Sequence, residues 1–180
     1  SVGKVVETGQ ILIMDEDNKE VKKGETGEIW ISGPMVIPGY WNDQKRTSLE
    51  FVNGFWKSGD IGYQDKDGYI YILDRKKDVI NRGGYKIYSS EIENLLSLSG
   101  LVIESAVIPI KDPILGEKIH TIVYAEKGNE VLDSLKNICK QNLSEYKQPD
   151  YWTFLNKELP KNKNGKVLKS LLIEEMEDKF

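Results

Sequence analysis

The alternation of apolar and polar positions changes character once along this chain of 180 residues. From Val5 to about Leu73, short runs such as "QILIMD", "GEIWISG" and "GYIYILD" are separated by turn-forming stretches. Period-two alternation of this kind predicts strands, and no helical periodicity shows between them. "EDNKEVKKGETG" and "QDKDGY" read as hairpin connections, the second carrying Asp67-Gly68, a pair suited to positive φ. These residues predict a small antiparallel β unit.

Beyond the charged tract Asp74–Asp78, which is the candidate boundary, strands and helices alternate. "SSEIENLLSLSG" places Glu93 three residues after Ser90, a capping-box spacing, and follows it with an apolar stripe through Ile92, Leu95, Leu96 and Leu98, so it predicts a helix that Gly100 stops. "LVIESAVIPI" and "KIHTIVYAEK" predict strands on either side of the turn "KDPILGE". "NEVLDSLKNICKQNL" carries Val131, Leu135, Ile138 and Leu143 at helical spacing, "YWTFLN" reads as a further strand, and "VLKSLLIEEMEDK" as a closing helix. The fold class expected is α+β: a β-rich unit followed by a compact α+β domain.

Composition narrows the chemistry. With 25 Lys and Arg against 29 Asp and Glu, the net charge is −4, which argues against a general nucleic-acid or membrane-surface binder. One cysteine, Cys139, allows no internal disulfide, and one histidine, His120, makes histidine-based metal sites and a Ser-His-Asp arrangement poor readings. Cys139 is expected to be a packed thiol, His120 a partly exposed strand residue, and Trp30, Trp41, Trp56 and Trp152 packing anchors. No apolar run approaches the roughly 18 residues of a membrane span and no secretory pattern is present, so a cytoplasmic protein, at most peripheral to a membrane, is expected. The first residues lack an initiator Met and run directly into strand-like alternation, which suggests an excised piece.

Four stretches could carry chemistry. In "NGFWKSGDIG", Asp60 follows Gly59 and enters a strand; it is either a surface-turn aspartate or an acceptor for a ribose diol, whose two hydroxyl protons one carboxylate can take. "DRKKD" is a charge cluster from which Arg75 could reach a sugar or phosphate. "NRGGYKIYSSEIE" sets Gly83 and Gly84 before Tyr85 and Lys86, and serves equally as a plain turn or as a loop that a ligand approaches closely. "LPKNKNGKVLK" holds four lysines around Asn164-Gly165, a strong turn former, so Lys166 lies just past a reversal. It is not a P-loop, because Pro160 and Val167 stand where that motif needs Gly and Ser or Thr. A solvated loop and a phosphate- or carboxylate-binding tip both remain open on these residues alone.

Taken in order, "GEIWISGPMVIPGYW", "FWKSGDIG", "GYIYILDRKKDVINRGGYKIYSSEIE" and "LPKNKNGKVLK" resemble the successive motifs of the adenylate-forming superfamily of acyl-CoA synthetases, peptide-synthetase adenylation domains and firefly-type luciferases. The resemblance implies that residues 1–74 are the β-rich end of the large N-terminal domain, 75–77 a hinge and 78–180 the C-terminal lid. It implies that Asp60 and Arg75 bind the ribose of ATP, Lys86 lies near its phosphates, and Lys77 is the residue about which the lid rotates. Gly83, Gly84 and Tyr85 would line the coenzyme A channel, and Lys166 would reach into the site during adenylation, leaving Lys161, Lys163 and Lys169 as solvated neighbours. The implied co-substrates are ATP, a carboxylic acid and coenzyme A. Mg2+ is the implied metal, its ligands lying in the family's upstream motifs, which this sequence does not contain. The chain alone is therefore expected to be inactive, and its partner to be the N-terminal domain. "WKSGD" and "DRKKD" look most like bacterial fatty acyl- or aryl-CoA ligases; a carrier-protein-loading domain and a non-catalytic binding module are the alternatives.

Overall fold

The computed structural model describes residues 1–177. The chain divides into two compact units, Ser1–Lys77 and a second that begins at Asp78. The first contains β1 (Gly3–Lys4), β2 (Gln10–Met14), β3 (Gly27–Ser32), the short helix α1 (Gln44–Glu50), β4 (Phe51–Val52), β5 (Phe55–Gln64) and β6 (Tyr69–Arg75). The sheet order is β1-β6-β5-β3-β2, with β4 also on β5, and the pairings are antiparallel. Ile13, Ile29 and Ile70 form its small core. The turn at 65–68 closes as expected: Gly68 takes φ +87°, and Asp65 Oδ1 accepts from the amides of Asp67 and Tyr69 at 3.0 and 2.8 Å. Gly62 is required by a close approach of β6, since a Cβ there would lie 2.2 Å from the Tyr71 carbonyl oxygen.

Two expectations for this unit are corrected. Helix α1 lies in a stretch without helical periodicity; none of its residues is buried, so it has no apolar stripe to read. It is held by its cap instead, the Asp43 side chain accepting from the Arg46 amide at 2.9 Å. Trp41 is 97% exposed and anchors nothing. Its neighbour Tyr40 takes the inward place, with its hydroxyl 2.5 Å from Glu50 Oε2, Trp56 Nε1 donating to it at 3.2 Å and Phe51 packed edge-on. Trp30 is buried as expected.

A single turn of 3₁₀ helix, Lys76–Asp78, leads into the second unit: β7 (Val79–Arg82), β8 (Tyr85–Tyr88), α2 (Ser89–Leu98), β9 (Glu104–Asp112), β10 (Gly116–Tyr124), α3 (Leu132–Asn142), β11 (Tyr151–Leu155) and α4 (Lys169–Glu177). The part of the closing helix expected beyond residue 177 lies outside the described residues. The sheet runs β11-β10-β7-β8 with β9 also on β10; β11 pairs parallel and the rest antiparallel. Strands β9 and β10 send alternate residues to two faces. On one, Val107, Ile119 and Val123 meet Ile92 and Leu96 of α2 and Leu135 and Cys139 of α3. On the other, Ala106, Ile108 and Ile122 meet Leu159 and Leu172 and Met176 of α4. The chain is thus α+β, an antiparallel sheet unit followed by a mixed sheet covered by helices.

Cys139 is a packed thiol, its pKa pushed up to about 11 by burial. His120, expected to be partly exposed, is fully buried, because β10 is flanked by β9 and β11; its Nε2 lies 2.8 Å from Thr153 Oγ1 on β11. The capping box does not form as spaced. Tyr88 is the N-cap of α2 without a side-chain cap bond, and Glu93 turns to β9, accepting from the Val107 amide at 2.8 Å. Among the described residues, no helix is long and apolar enough to cross a membrane.

Candidate functional site

Asp60 is not a turn residue. It lies within β5, directly across from Arg75 on β6, and the register shift after Ile61 sits beside the pair. Arg75 Nε lies 3.0 Å from Asp60 Oδ1, and Arg75 Nη1 reaches the Ser58 carbonyl oxygen at 3.4 Å. The Asp60 amide donates to Ser58 Oγ at 3.0 Å, and Ser58 is buried. One guanidinium contact uses only part of what a carboxylate can accept, so Asp60 retains the capacity to bind hydroxyl groups. Asp60, Ser58, Ile29 and Ile70 also line a cavity of about 180 Å³.

At the end of β6, Lys76 Nζ reaches the buried carboxylate of Glu28 on β3 at 3.0 Å, while Lys77 is exposed. The 3₁₀ turn containing both ends at Asp78, where the second unit begins.

Gly83 and Gly84 form the two-residue loop of a hairpin, with Arg82 and Tyr85 paired across it. Both take positive φ, +57° and +86°, as a type I′ reversal requires. Conformation, not crowding, calls for glycine: a Cβ on Gly84 would meet nothing within 4 Å. The base of the hairpin is fastened by Arg82, whose Nη2 lies 2.7 Å from Asp150 Oδ1 and whose Nη1 donates to the Tyr146 carbonyl oxygen at 3.2 Å. The other Asp150 oxygen accepts from the Ile119 amide at 2.9 Å. Tyr85, half-exposed, stacks on Tyr146 with ring centres 4.4 Å apart. Lys86 lies on β8 opposite Asn81 and is exposed.

The stretch 159–169 is a miniature hairpin. Lys161 and Val167 form an antiparallel bridge, Asn162 N donates to Lys166 O at 2.9 Å, and Gly165 takes φ +78°. Asn162 Oδ1 accepts from the amides of Asn164 and Lys166, both at 2.9 Å. Lys166 follows the reversal and is exposed, as is Lys163. Lys169 does not fit the expectation of a solvated neighbour, and Lys161, though exposed, is ion-paired. Lys161 pairs with Glu104 and Glu158, and Lys169 Nζ lies 2.7 Å from Glu93 Oε1 and 2.6 Å from Ser89 Oγ. Burial alone would push the Glu104 carboxyl up; hydrogen bonds from Lys161 and the Leu159 amide outweigh it and hold the group below the ordinary range. The same Glu104 contact, with Glu158 second, raises Lys161.

The structure therefore joins Asp60 to Arg75 in one unit, and sets Gly83, Gly84, Tyr85 and Lys86 on one hairpin of the other, where Lys166 lies on a separate loop. Sequence reasoning missed Ser58, Glu28, Arg82, Asp150, Glu93 and Glu104. The pattern "VINRGGYKIY" held a readable signal for the hairpin; the partners had none, lying 14 to 76 positions from what they bind. Among the described residues, no group of three or more His, Cys, Asp or Glu side chains could hold a metal ion.

Comparison with known proteins places these features in context. The family model described as AMP-binding enzyme C-terminal domain matches residues 91–166, and that described as AMP-binding enzyme matches residues 1–41. Lys166 ends the first match; Asp60, Arg75 and Gly83 to Lys86 lie between the two. A long-chain-fatty-acid–CoA ligase of Yersinia pestis is 35% identical over 175 residues, covering 97% of this chain and 31% of that protein. A 2-succinylbenzoate–CoA ligase of Listeria monocytogenes serotype 4b is 40% identical over 155 residues, or 86% of this chain and 33% of the relative. The o-succinylbenzoate CoA synthetase of Bacillus subtilis, solved with its acyl-adenylate intermediate, superposes with a TM-score of 0.89 at 34% identity, over 96% of this chain and 35% of that one. The chain spans about a third of the length of these relatives.

Proposed function

Because this chain belongs to the AMP-binding, or adenylate-forming, enzyme family, we propose that it is the C-terminal part of an ATP-dependent acyl-CoA synthetase whose substrate is a fatty acid. The observation that carries this reading is the pairing, in one chain, of a cross-strand Asp60–Arg75 couple with a lysine raised on an anchored turn. The name of the Yersinia pestis relative supports the fatty acid.

In the first half-reaction a carboxylate oxygen attacks the α-phosphorus of ATP, the bond to the β-phosphate oxygen breaks and pyrophosphate leaves. Both partners are anions. A cation between them offsets their repulsion and stabilises charge in the transition state, which is the role of Lys166. Asp60 accepts the ribose hydroxyls, and Arg75, oriented by Asp60 and the Ser58 carbonyl, holds the nucleotide's sugar end. Lys86 supports the phosphates. Mg2+ would be held by residues outside this chain.

In the second half-reaction the thiol sulfur of coenzyme A attacks the acyl carbonyl, the thiol proton is lost and the bond to AMP oxygen breaks. The incoming pantetheine arm needs a route that the lysine loop does not block. Rotation at Lys77 supplies it, Lys76 being fastened to Glu28 so that the change in backbone angles falls beyond it. The bare backbone of Gly83-Gly84, flanked by Tyr85, then lines the channel.

The test is Lys166→Ala in the full-length enzyme, with pyrophosphate release followed across a panel of carboxylic acids and thioester formation measured from supplied acyl-adenylate. Adenylation is expected to fall about 100- to 1000-fold with the second step largely kept. Equal loss in both steps would sink the role given to Lys166, and a preference for an acid other than a fatty acid would sink the substrate class.

A further inference from the structure

The lysine loop is held from both ends by charge pairs that reach far along the chain. At its entry, Lys161 Nζ meets Glu104 at the start of β9 and lies 3.2 Å from Glu158 Oε2. The second Glu104 oxygen accepts from the Leu159 amide at 3.0 Å, so this one carboxylate grips both backbone and side chain. At its exit, Lys169 Nζ is shared between Glu93 Oε1 and Ser89 Oγ, and Glu93 is itself fixed by the Val107 amide of β9. The Lys161 and Lys169 side chains are 29% and 16% exposed. Between the clamps, Leu168 N donates to Pro160 O at 2.8 Å and closes the neck of the hairpin.

A solvated loop would need none of this. Exposed ion pairs contribute little because water screens them and two long side chains must be ordered. These pairs are partly withdrawn from water, span 57 and 76 positions and tie the loop to the start of β9 and to α2. What they hold still is the neck from which Lys166 projects. Lysine is a point charge on a four-carbon stem, so the accuracy with which it is delivered depends on its backbone.

We propose that Glu104–Lys161 and Glu93–Lys169 are positioning pairs for adenylation, acting through the loop backbone to aim Lys166 without touching either substrate. This rests on the reading of Lys166 given above. Misplacing a catalytic group by about 1 Å can cost on the order of 100-fold, and loosening one end of a doubly held loop should cost part of that.

The experiment compares Lys161→Met, Glu104→Gln, Lys169→Met and Lys161→Arg with Lys166→Ala in the full-length enzyme, measuring both half-reactions and thermal unfolding. Glu104→Gln keeps an acceptor for the Leu159 amide and so removes the ion pair with the backbone contact intact. Each of the first three is expected to slow adenylation about 10-fold and thioester formation from supplied acyl-adenylate by no more than about two-fold, with Lys161→Arg recovering most of the loss. Adding Lys161→Met to Lys166→Ala should cost nothing more, because the pair acts only through Lys166. Unchanged adenylation, parallel loss in both half-reactions, or an additive double variant overturns the proposal, while the Lys166→Ala benchmark still stands. If Lys166→Ala itself leaves adenylation intact, the reading of Lys166 fails and this proposal fails with it.

Discussion

The two short reversals of the second unit, Gly83-Gly84 and the turn before Lys166, are built in opposite ways. The diglycine loop takes its shape from the backbone: two consecutive residues at positive φ, no side chains at the tip, and its fastening placed below at Arg82, Asp150 and Tyr146. The lysine loop takes its shape from side chains, with Asn162 folding the tip and Lys161 and Lys169 tying the neck. A loop past which a long ligand must slide benefits from having nothing on it. One that must present a charge needs every other degree of freedom removed. The contrast matches the two half-reactions proposed for them, and it can be broken.

The largest effect is expected at the connection between the units. Lys77→Pro fixes φ near −65° where rotation is proposed, so thioester formation should drop about 100-fold while adenylation keeps within about three-fold. An unchanged ratio of the two rates would place the pivot elsewhere. Next, Gly84→Val puts a β-branched residue at φ +86°. Strain of about 1–3 kcal/mol is expected in denaturant unfolding, with thioester formation falling about 10-fold and adenylation little changed. Loss confined to adenylation would reverse the assignment of the two loops.

The smallest effect concerns pH. The diglycine turn has no titrating group at its tip, whereas the lysine loop depends on Glu104, whose folded pKa is depressed. A depressed carboxylate contributes stability that is fully present above its unfolded value, 4.5, and is lost as pH falls through the folded one. Lys161, shifted upward, keeps its proton throughout that range. Wild type and Glu104→Gln should therefore differ in stability above about pH 4.5 and converge as the solution is acidified further. Parallel curves would mean that the ion pair contributes nothing.

Much of the fold was legible because it rests on local rules. Ile92 and Leu96, or Leu135 and Cys139, recur at helical spacing because one face of each helix is buried, and Asp67-Gly68 and Asn164-Gly165 mark turns because those residue pairs tolerate the backbone angles needed. Where burial is absent the reading failed, as at α1, and where a strand is enclosed on both sides it underestimated burial, as at His120. Asp60 and Arg75 could be picked out separately, but their cross-strand pairing depends on the register of β5 and β6.

The sequence by itself determined the order of the elements, the places where the chain reverses and the residue types available for chemistry, since periodicity, capping and turn preference act over a few positions. Only the tertiary structure decided which charges are paired. Lys161, Lys163, Lys166 and Lys169 are chemically equivalent in one dimension. Lys161 and Lys169 become ion-paired anchors while Lys163 and Lys166 stay exposed, because Glu104 and Glu93 arrive from 57 and 76 positions away. Electrostatic pairing depends on distance in space and on exclusion of water, and neither is written in the spacing along the chain.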